Sequence, residues 1–367
     1  MTKILPDLDA LPKEPLVPMP DSLTTTASPA SPAALAWNER LAKMNGHLLQ
    51  SWAWGDFKAQ HGWQAERILI EDTAGTAMAQ VLYRSQWGAS VGYIPRGPVF
   101  EGNPEVLWNL LIDELDHQAR QRRAILTLIE PNASLGLSGD FRSHDVVAGP
   151  DHLQPGRTVK IPLGDDDAIL KQMHQKTRYN VRLAQRRGVT IERHRAEPAA
   201  LDTFHELMTD TAERNEFGIH SRAYYADFMT QFGEDAVLLF ARLESGVLAA
   251  VLIAARFGAE GIYMYGASST KHRADGAAFL MQFEAMRWAR DLGCTTYDLW
   301  GIPAEDPATV QTEGPGAIAG TKGDDWRGLY RFKIGFGGEI VAYPPVVERR
   351  HVPVLPWLAR KLHVIKG

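Results

Sequence analysis

The residue types best suited to chemistry gather in the last quarter of the chain. Tyr297-Asp298-Leu299-Trp300-Gly301-Ile302-Pro303 closes a strand-like run. A glycine-rich stretch follows, and then Arg331-Phe332-Lys333-Ile334-Gly335-Phe336-Gly337-Gly338-Glu339. A strand that ends in Gly and Pro sets side chains at a sheet edge, where open α/β structures place ligands. Lys333 stands among aromatics and among glycines that permit close backbone approach, so its ammonium could face a reacting carbonyl and stabilise an oxyanion. A purely structural alternative has Lys333 capping a surface turn while Phe332 and Phe336 fill the core. A second set is Lys171, Arg178, Arg182 and Arg186, spaced by seven, four and four residues. On one helix at about 100° per residue these form a cationic stripe, either a solvated face or a surface for a phosphate backbone. A third is Arg273-Ala274-Asp275-Gly276-Ala277-Ala278, whose RxxGxA spacing at a helix start could cradle a pyrophosphate such as that of coenzyme A.

The elements that must position these residues can be read from periodicity. Strand-like stretches fall near 66–71, 77–84 and 90–94, followed by a helix near 104–121 and a strand at 125–129. The order repeats: strands near 236–243, 247–257 and 261–266, a helix near 276–292, and a strand near 295–300. Adding 172 to positions 94, 104 and 124 gives 266, 276 and 296, close to the equivalent boundaries, so one unit occurs twice. A single helix over 165–187, opened by Asp165 to Asp167 and closed at Gly188, joins the halves. Another helix is expected from Ala199 to Arg214, and a last strand from Glu339 to Tyr343. Three antiparallel strands, a crossing helix and a parallel strand form the centre of the GNAT acyltransferase architecture. The expected fold is therefore α/β with two tandem GNAT-like domains, mixed but mostly antiparallel sheets with flanking helices, and no coiled-coil arm.

Composition sets outer bounds. The chain has 367 residues, 45% hydrophobic and 23% charged, with a net charge of −5, which suits two ordinary domains and argues against wholesale coating by nucleic acid. Cys294 is the single cysteine; it rules out an internal disulfide and reads as a buried structural thiol. No run approaches a membrane span or a signal peptide, so a cytoplasmic protein is expected. Residues 1–35 are rich in Pro, Ser and Thr without apolar periodicity and read as a disordered arm. The first domain is expected over 36–155 with 340–367 returning to it, and the second over 156–339. The tail mixes Arg349, Arg350, Arg360, Lys361 and Lys366 with Val354, Leu355, Trp357, Leu358 and Leu362, a pattern for packing on the first domain or for peripheral contact with a membrane face.

The tyrosine-aspartate-aromatic-glycine strand, followed by phenylalanine-lysine and a glycine-rich exit, resembles the signature of the FemABX family of nonribosomal peptidyltransferases. Three earlier segments carry the same resemblance in order: Gln50-Ser51-Trp52 with Trp54-Gly55-Asp56-Phe57-Lys58; Tyr93-Ile94-Pro95-Arg96-Gly97-Pro98-Val99; and Lys176-Thr177-Arg178-Tyr179-Asn180 leading to Gly188-Val189. It covers residues from about 36 to 345 and is similar to the FemX-like branch, which adds single residues. The resemblance implies transfer of Gly, Ala or Ser from aminoacyl-tRNA to the side-chain amine of a stem-peptide diamino acid. The acceptor would be a UDP-linked or lipid-linked muropeptide precursor, the enzyme a monomer, with no cofactor and no metal.

By the same resemblance Lys333 and Phe332 lie at the catalytic centre, Lys58 and Arg214 bind the acceptor's diphosphate with Arg96 as an addition, and Tyr265 lies near the acceptor peptide. Two positions depart from the family pattern. Glu101 stands where aspartate is common, and His220 where tyrosine can occur. The basic stripe would receive the tRNA. A coenzyme A dependent N-acyltransferase and a noncatalytic precursor binder are the competing readings.

Overall fold

A computed structural model of the protein describes residues 31–138, 144–215, 218–303 and 325–352; at residues 214, 215 and 325–327 it describes the backbone alone. Residues 1–30 of the expected arm, the glycine-rich stretch 304–324 and the tail from 353 onward lie outside the described residues. The contacts divide the chain between Gln154 and Pro155 and again between Ala342 and Tyr343.

The first unit opens with α1 (Pro32–Lys43), four residues before the expected start of order at 36, because the Ser31 hydroxyl accepts from the Ala34 amide at 3.2 Å and Pro32 suits a first helical turn. Next come α2 (Trp52–Ala59), β1 (Gln64–Asp72), β2 (Gly75–Gln86), β3 (Ala89–Pro95), β4 (Val99–Gly102), α3 (Pro104–Arg122), β5 (Ala124–Glu130) and β6 (Val147–Ala148). The second unit runs through β7 (Arg157–Pro162), α4 (Asp166–Gln172), α5 (Gln175–Arg186), β8 (Thr190–His194), α6 (Pro198–Asn215), α7 (Arg222–Phe232), β9 (Ala236–Arg242), β10 (Leu248–Phe257), β11 (Glu260–Ser268), α8 (Ala277–Asp291), β12 (Thr296–Asp298), α9 (Asp325–Ile334) and β13 (Glu339–Ala342). The chain then returns to the first sheet as β14 (Val347–Arg350).

The sheet orders are β1-β2-β3-β5-β14-β6, with β4 on β2, and β13-β7-β12-β11-β10-β9-β8. In each, an antiparallel trio feeds a helix and then a parallel strand, which is the duplicated unit expected from the sequence. The helices bury one face on their sheets: Trp108, Leu111, Ile112 and Leu115 of α3 pack with Ile68, Val81 and Ile129. Leu280, Phe283 and Met286 of α8 pack with Leu239, Leu252 and Tyr297.

Two expectations about the tail and the linking helix change. Arg349 and Arg350, read as part of a basic tail, lie in β14 and are paired internally. Arg349 donates to Asp116 at 3.0 and 2.5 Å, and Arg350 to Glu348 at 2.5 Å. His351 continues the latch, with Nδ1 2.9 Å from Asp116 and Nε2 2.9 Å from the Thr127 hydroxyl.

The single helix expected over 165–187 is two helices, broken at Met173 and His174, whose ψ values of 144° and 150° are extended. The glycine-rich exit of the last motif docks into this break. The Gly335 carbonyl accepts from the His174 amide at 2.8 Å, and a Cβ on Gly337 would stand 2.3 Å from the Gln172 carbonyl oxygen. Only glycine allows that approach at the observed φ of +84°.

Candidate active site

The two copies of the unit differ at the seam between their parallel strands. In the first, β3 stays paired with β5 from Ser90 to Pro95. In the second, β11 and β12 pair only at Glu260, Gly261 and Ile262 against Thr296, Tyr297 and Asp298. β11 then continues to Ser268 while the other strand stops at Asp298, so the sheet parts at the carboxyl ends of the two strands, where α/β folds bind ligands.

β12 is shorter than the expected 295–300 because the chain turns at Trp300, which adopts a left-handed φ of 58° unusual for a bulky residue. The Trp300 amide donates to Asp298 Oδ1 at 2.6 Å, and the Leu299 and Ile302 amides remain tied to Val159 and Arg157. This turn brings two carbonyls to one point: Lys333 Nζ donates to Gly301 at 2.7 Å and to Trp300 at 3.3 Å. Lys333 lies in the last turn of α9 with 5% of its surface exposed, its Nζ 5.4 Å from the Tyr263 ring centroid. It is not a surface-turn cap. Burial drives the ammonium down to about 7, partly opposed by the nearby Asp298 carboxylate. A lysine poised there can carry charge to a developing oxyanion or exchange a proton near neutral pH. Phe332 is half-buried against Phe279 and Phe336, with centroids 4.9 and 5.2 Å away, so the packing part of the structural alternative holds for it.

His220 and Tyr265, far apart in sequence, meet in one aromatic cluster. Their rings are 5.9 Å apart, His220 stacks on Tyr224 at 3.8 Å, and Tyr265 lies 5.1 Å from Tyr225 and 5.7 Å from Phe228. A bulge at Met264, between Tyr263 paired with Ala254 and Tyr265 paired with Ile253, breaks the alternation along β11. Tyr263 thereby reaches Lys333 while Tyr265 joins the cluster. Sequence reading missed Tyr263 and the carbonyls of Trp300 and Gly301. The Tyr-x-Tyr spacing was visible, but a bulge and a left-handed turn have no distinctive sequence pattern.

In the first unit Lys58 is buried on α2 beside the rings of Trp54, Phe57 and Trp63, 5.7 to 6.0 Å from their centroids. Arg96 is fully buried with its guanidinium 3.4 Å from the Tyr343 ring centroid. The Gln50 amide fixes the strand end before it, donating to the Pro95 carbonyl at 2.7 Å and accepting from the Gln80 amide at 2.7 Å. Glu101 is exposed on β4 opposite Thr76. The Arg214 side chain lies outside the described residues.

The break between α4 and α5 divides the cationic stripe. Lys171 is on α4, whereas Arg178 turns back to cap that helix, donating to the Leu170, Lys171 and Met173 carbonyls at 3.2 to 3.3 Å. Arg182 and Arg186 remain exposed on α5, with Arg186 5.8 Å from the centroid of the exposed Tyr179 ring. Gly276, at the start of α8, is packed against the same helix: a Cβ there would stand 2.5 Å from the Asn180 carbonyl oxygen, at a φ of +74°. Packing therefore explains this glycine without a bound pyrophosphate. Gly276→Ala is expected to destabilise the protein by about 2–4 kcal/mol from the clash and the backbone strain, read as a lower unfolding midpoint in urea. Cys294 is buried, its thiol pushed up to about 11, so it is not a nucleophile at neutral pH.

Two mixed sheets with flanking helices and a parted seam in the second define a tandem GNAT-like protein. The chain belongs to the FemAB family, whose model matches residues 39–144, 149–245 and 243–359. It is 25% identical over 339 residues to the lipid II:glycine glycyltransferase of Staphylococcus aureus, covering 70% of this chain and 80% of the relative. The fold is similar to the crystal structure of FemX, with a TM-score of 0.72, 22% identity and coverage of 89% of this chain and 98% of that one. It is also similar to a tandem GNAT protein from the clavulanic acid biosynthesis pathway, with a TM-score of 0.50, 12% identity and coverage of 89% and 98%. No helix among the described residues is long and apolar enough to cross a membrane.

Proposed function

We propose that this protein transfers a Gly, Ala or Ser residue from aminoacyl-tRNA to the side-chain amine of the diamino acid in a peptidoglycan stem-peptide precursor, building the interpeptide bridge. The observation that carries the reading is Lys333, buried at the parted end of β11 and β12 and held by two backbone carbonyls, in a chain of the FemAB family. The acceptor nitrogen attacks the ester carbonyl carbon. An amide bond forms, the ester C–O bond breaks, and the proton lost by the amine passes to the departing ribose oxygen. The ester is already activated, so orientation and oxyanion stabilisation are the main requirements. Lys333 supplies the positive charge, with Phe332 packed beside it. Tyr265 and His220 flank the acceptor peptide. By the family resemblance alone, Lys58, Arg96, Arg214 and Glu101 are assigned to acceptor binding. The exposed arginines of α5 take the tRNA backbone. The relative named for lipid II and glycine favours a lipid-linked acceptor and a peripheral position at the membrane.

The test is a mass-spectrometric transfer assay with a mixed pool of charged tRNAs and both UDP-linked and lipid-linked precursors. The expected product is an acceptor heavier by one glycine, alanine or serine residue, formed only with aminoacyl-tRNA present. An acyl gain supported by acetyl-coenzyme A and not by charged tRNA would replace this reading with the N-acyltransferase one.

A further inference from the structure

The outer face of α5 carries an aromatic ring among its charges. Gln175, Tyr179, Arg182 and Arg186 follow one another at spacings of four, three and four residues, so they form one stripe along the helix, with Lys176 beside it. All five are exposed, while Thr177, Val181 and Ala184 turn the opposite face into the core. Tyr179 stands within this stripe with 55% of its surface exposed, and the Arg186 guanidinium lies 5.8 Å from its ring centroid. Arginines alone suffice to hold a phosphate backbone. What an exposed ring among them adds is a surface for the face of a base, and paired bases hide their faces inside the duplex stack.

Both ends of α5 are fixed within the same unit. The His174 amide donates to the Gly335 carbonyl at 2.8 Å, and a side chain on Gly335 would meet the Thr177 hydroxyl. The helix therefore begins against the loop that follows Lys333 by two residues. At the other end Arg187 donates to the Ala274 carbonyl at 2.9 Å and to Asp275 at 2.7 Å, which commits that arginine and that carboxylate to the turn before α8. Glu244 lies beside Gly188, past the last arginine of the stripe. From Thr177 to Arg186 the helix rises about 14 Å, roughly the length of four stacked nucleotides.

We infer that Tyr179 is a stacking platform for an unpaired base, and that the strand laid along α5 is the single-stranded 3′ end of aminoacyl-tRNA. Arg182 and Arg186 take the phosphates that flank the stacked base. This rests on the tRNA-dependent reading proposed above. The strand that bears the ester has to reach Lys333, and α5 begins beside that residue's loop. The contact tolerates any sequence, because every base offers a face to a ring.

The experiment measures, by fluorescence anisotropy across a range of salt, the affinity of the full chain for a short single-stranded RNA ending in CCA and for the same sequence closed into a blunt duplex. Tyr179→Ala is expected to weaken single-strand binding by about 10-fold or more. The slope of log affinity against log salt should not change, because no charge is lost, and duplex binding should stay within about 2-fold of wild type. Tyr179→Phe should bind as wild type does, since it keeps the ring. No loss in Tyr179→Ala, or an equal loss on single strand and duplex, would overturn the inference, as would a Tyr179→Phe that binds as weakly as Tyr179→Ala. Should Tyr179→Ala not fold, Tyr179→Trp serves: single-strand binding at least as tight as wild type is expected, and a selective loss of it overturns the inference. A wild-type protein that binds the single strand through Tyr179 but transfers nothing from aminoacyl-tRNA would sustain the inference and count against the proposed function. Transfer from aminoacyl-tRNA with an unchanged KM in Tyr179→Ala would sustain that function and remove Tyr179 from it.

Discussion

Lys333→Met is expected to lower kcat for aminoacyl transfer by about 10²–10³-fold, the usual loss on deleting one preorganised group that meets a developing oxyanion. The fold should survive, and the magnitudes say why. Bringing the lysine from its ordinary titration range to about 7 corresponds to roughly 5 kcal/mol of unfavourable charging relative to the unfolded chain. Methionine removes that cost but leaves the Trp300 and Gly301 carbonyls without this donor, at about 1–3 kcal/mol each. The two effects nearly cancel, so the unfolding midpoint should move by only a few degrees.

The pH dependence has a definite sign. Between about 7 and the ordinary lysine range the unfolded chain holds a proton that the folded one has released, so Lys333 makes stability rise with pH across that window. Methionine should flatten that part of the curve. In the role proposed for Lys333 the charged form is the active one, so kcat should fall on the alkaline side with a midpoint near 7, while the need for an uncharged acceptor amine sets the acidic limb. A Lys333→Met enzyme with full transfer activity on purified substrates would remove Lys333 from the mechanism.

The second large effect is expected at the surface proposed for tRNA. Arg182 and Arg186 are exposed one turn apart on α5. Reversing both to Glu should raise KM for aminoacyl-tRNA by about 10–100-fold at low salt and reduce the slope of log affinity against log salt by about two, at roughly one counterion per lost phosphate contact. KM for the stem-peptide precursor and the unfolding midpoint should stay near wild type. Equal salt slopes for variant and wild type would move the tRNA elsewhere. Arg178 is not part of this test, because its guanidinium caps α4 and its loss would disturb the break that receives Gly335 and Gly337.

The sequence by itself determined the repeated unit, the order of strands and helices in each copy, and the motif that contains Lys333. Those features follow from period-2 and period-3.6 apolar patterns and from local glycine and proline positions, which act over a few residues and are legible without a fold. The tertiary structure decided what the motif does. It ended β12 at Asp298 rather than Trp300, divided the linking helix where Gly335 and Gly337 dock, and turned Gly276 from a possible pyrophosphate cradle into a contact with α5. It also decided which copy carries a parted seam, since the strand patterns of the two copies read alike while their pairing differs. Lys333 shows the reason most plainly. Its burial, its carbonyl partners 32 and 33 residues earlier in the chain and its lowered proton affinity all arise from long-range contacts. A lysine's charge state depends on what surrounds it, and no local pattern specifies those surroundings.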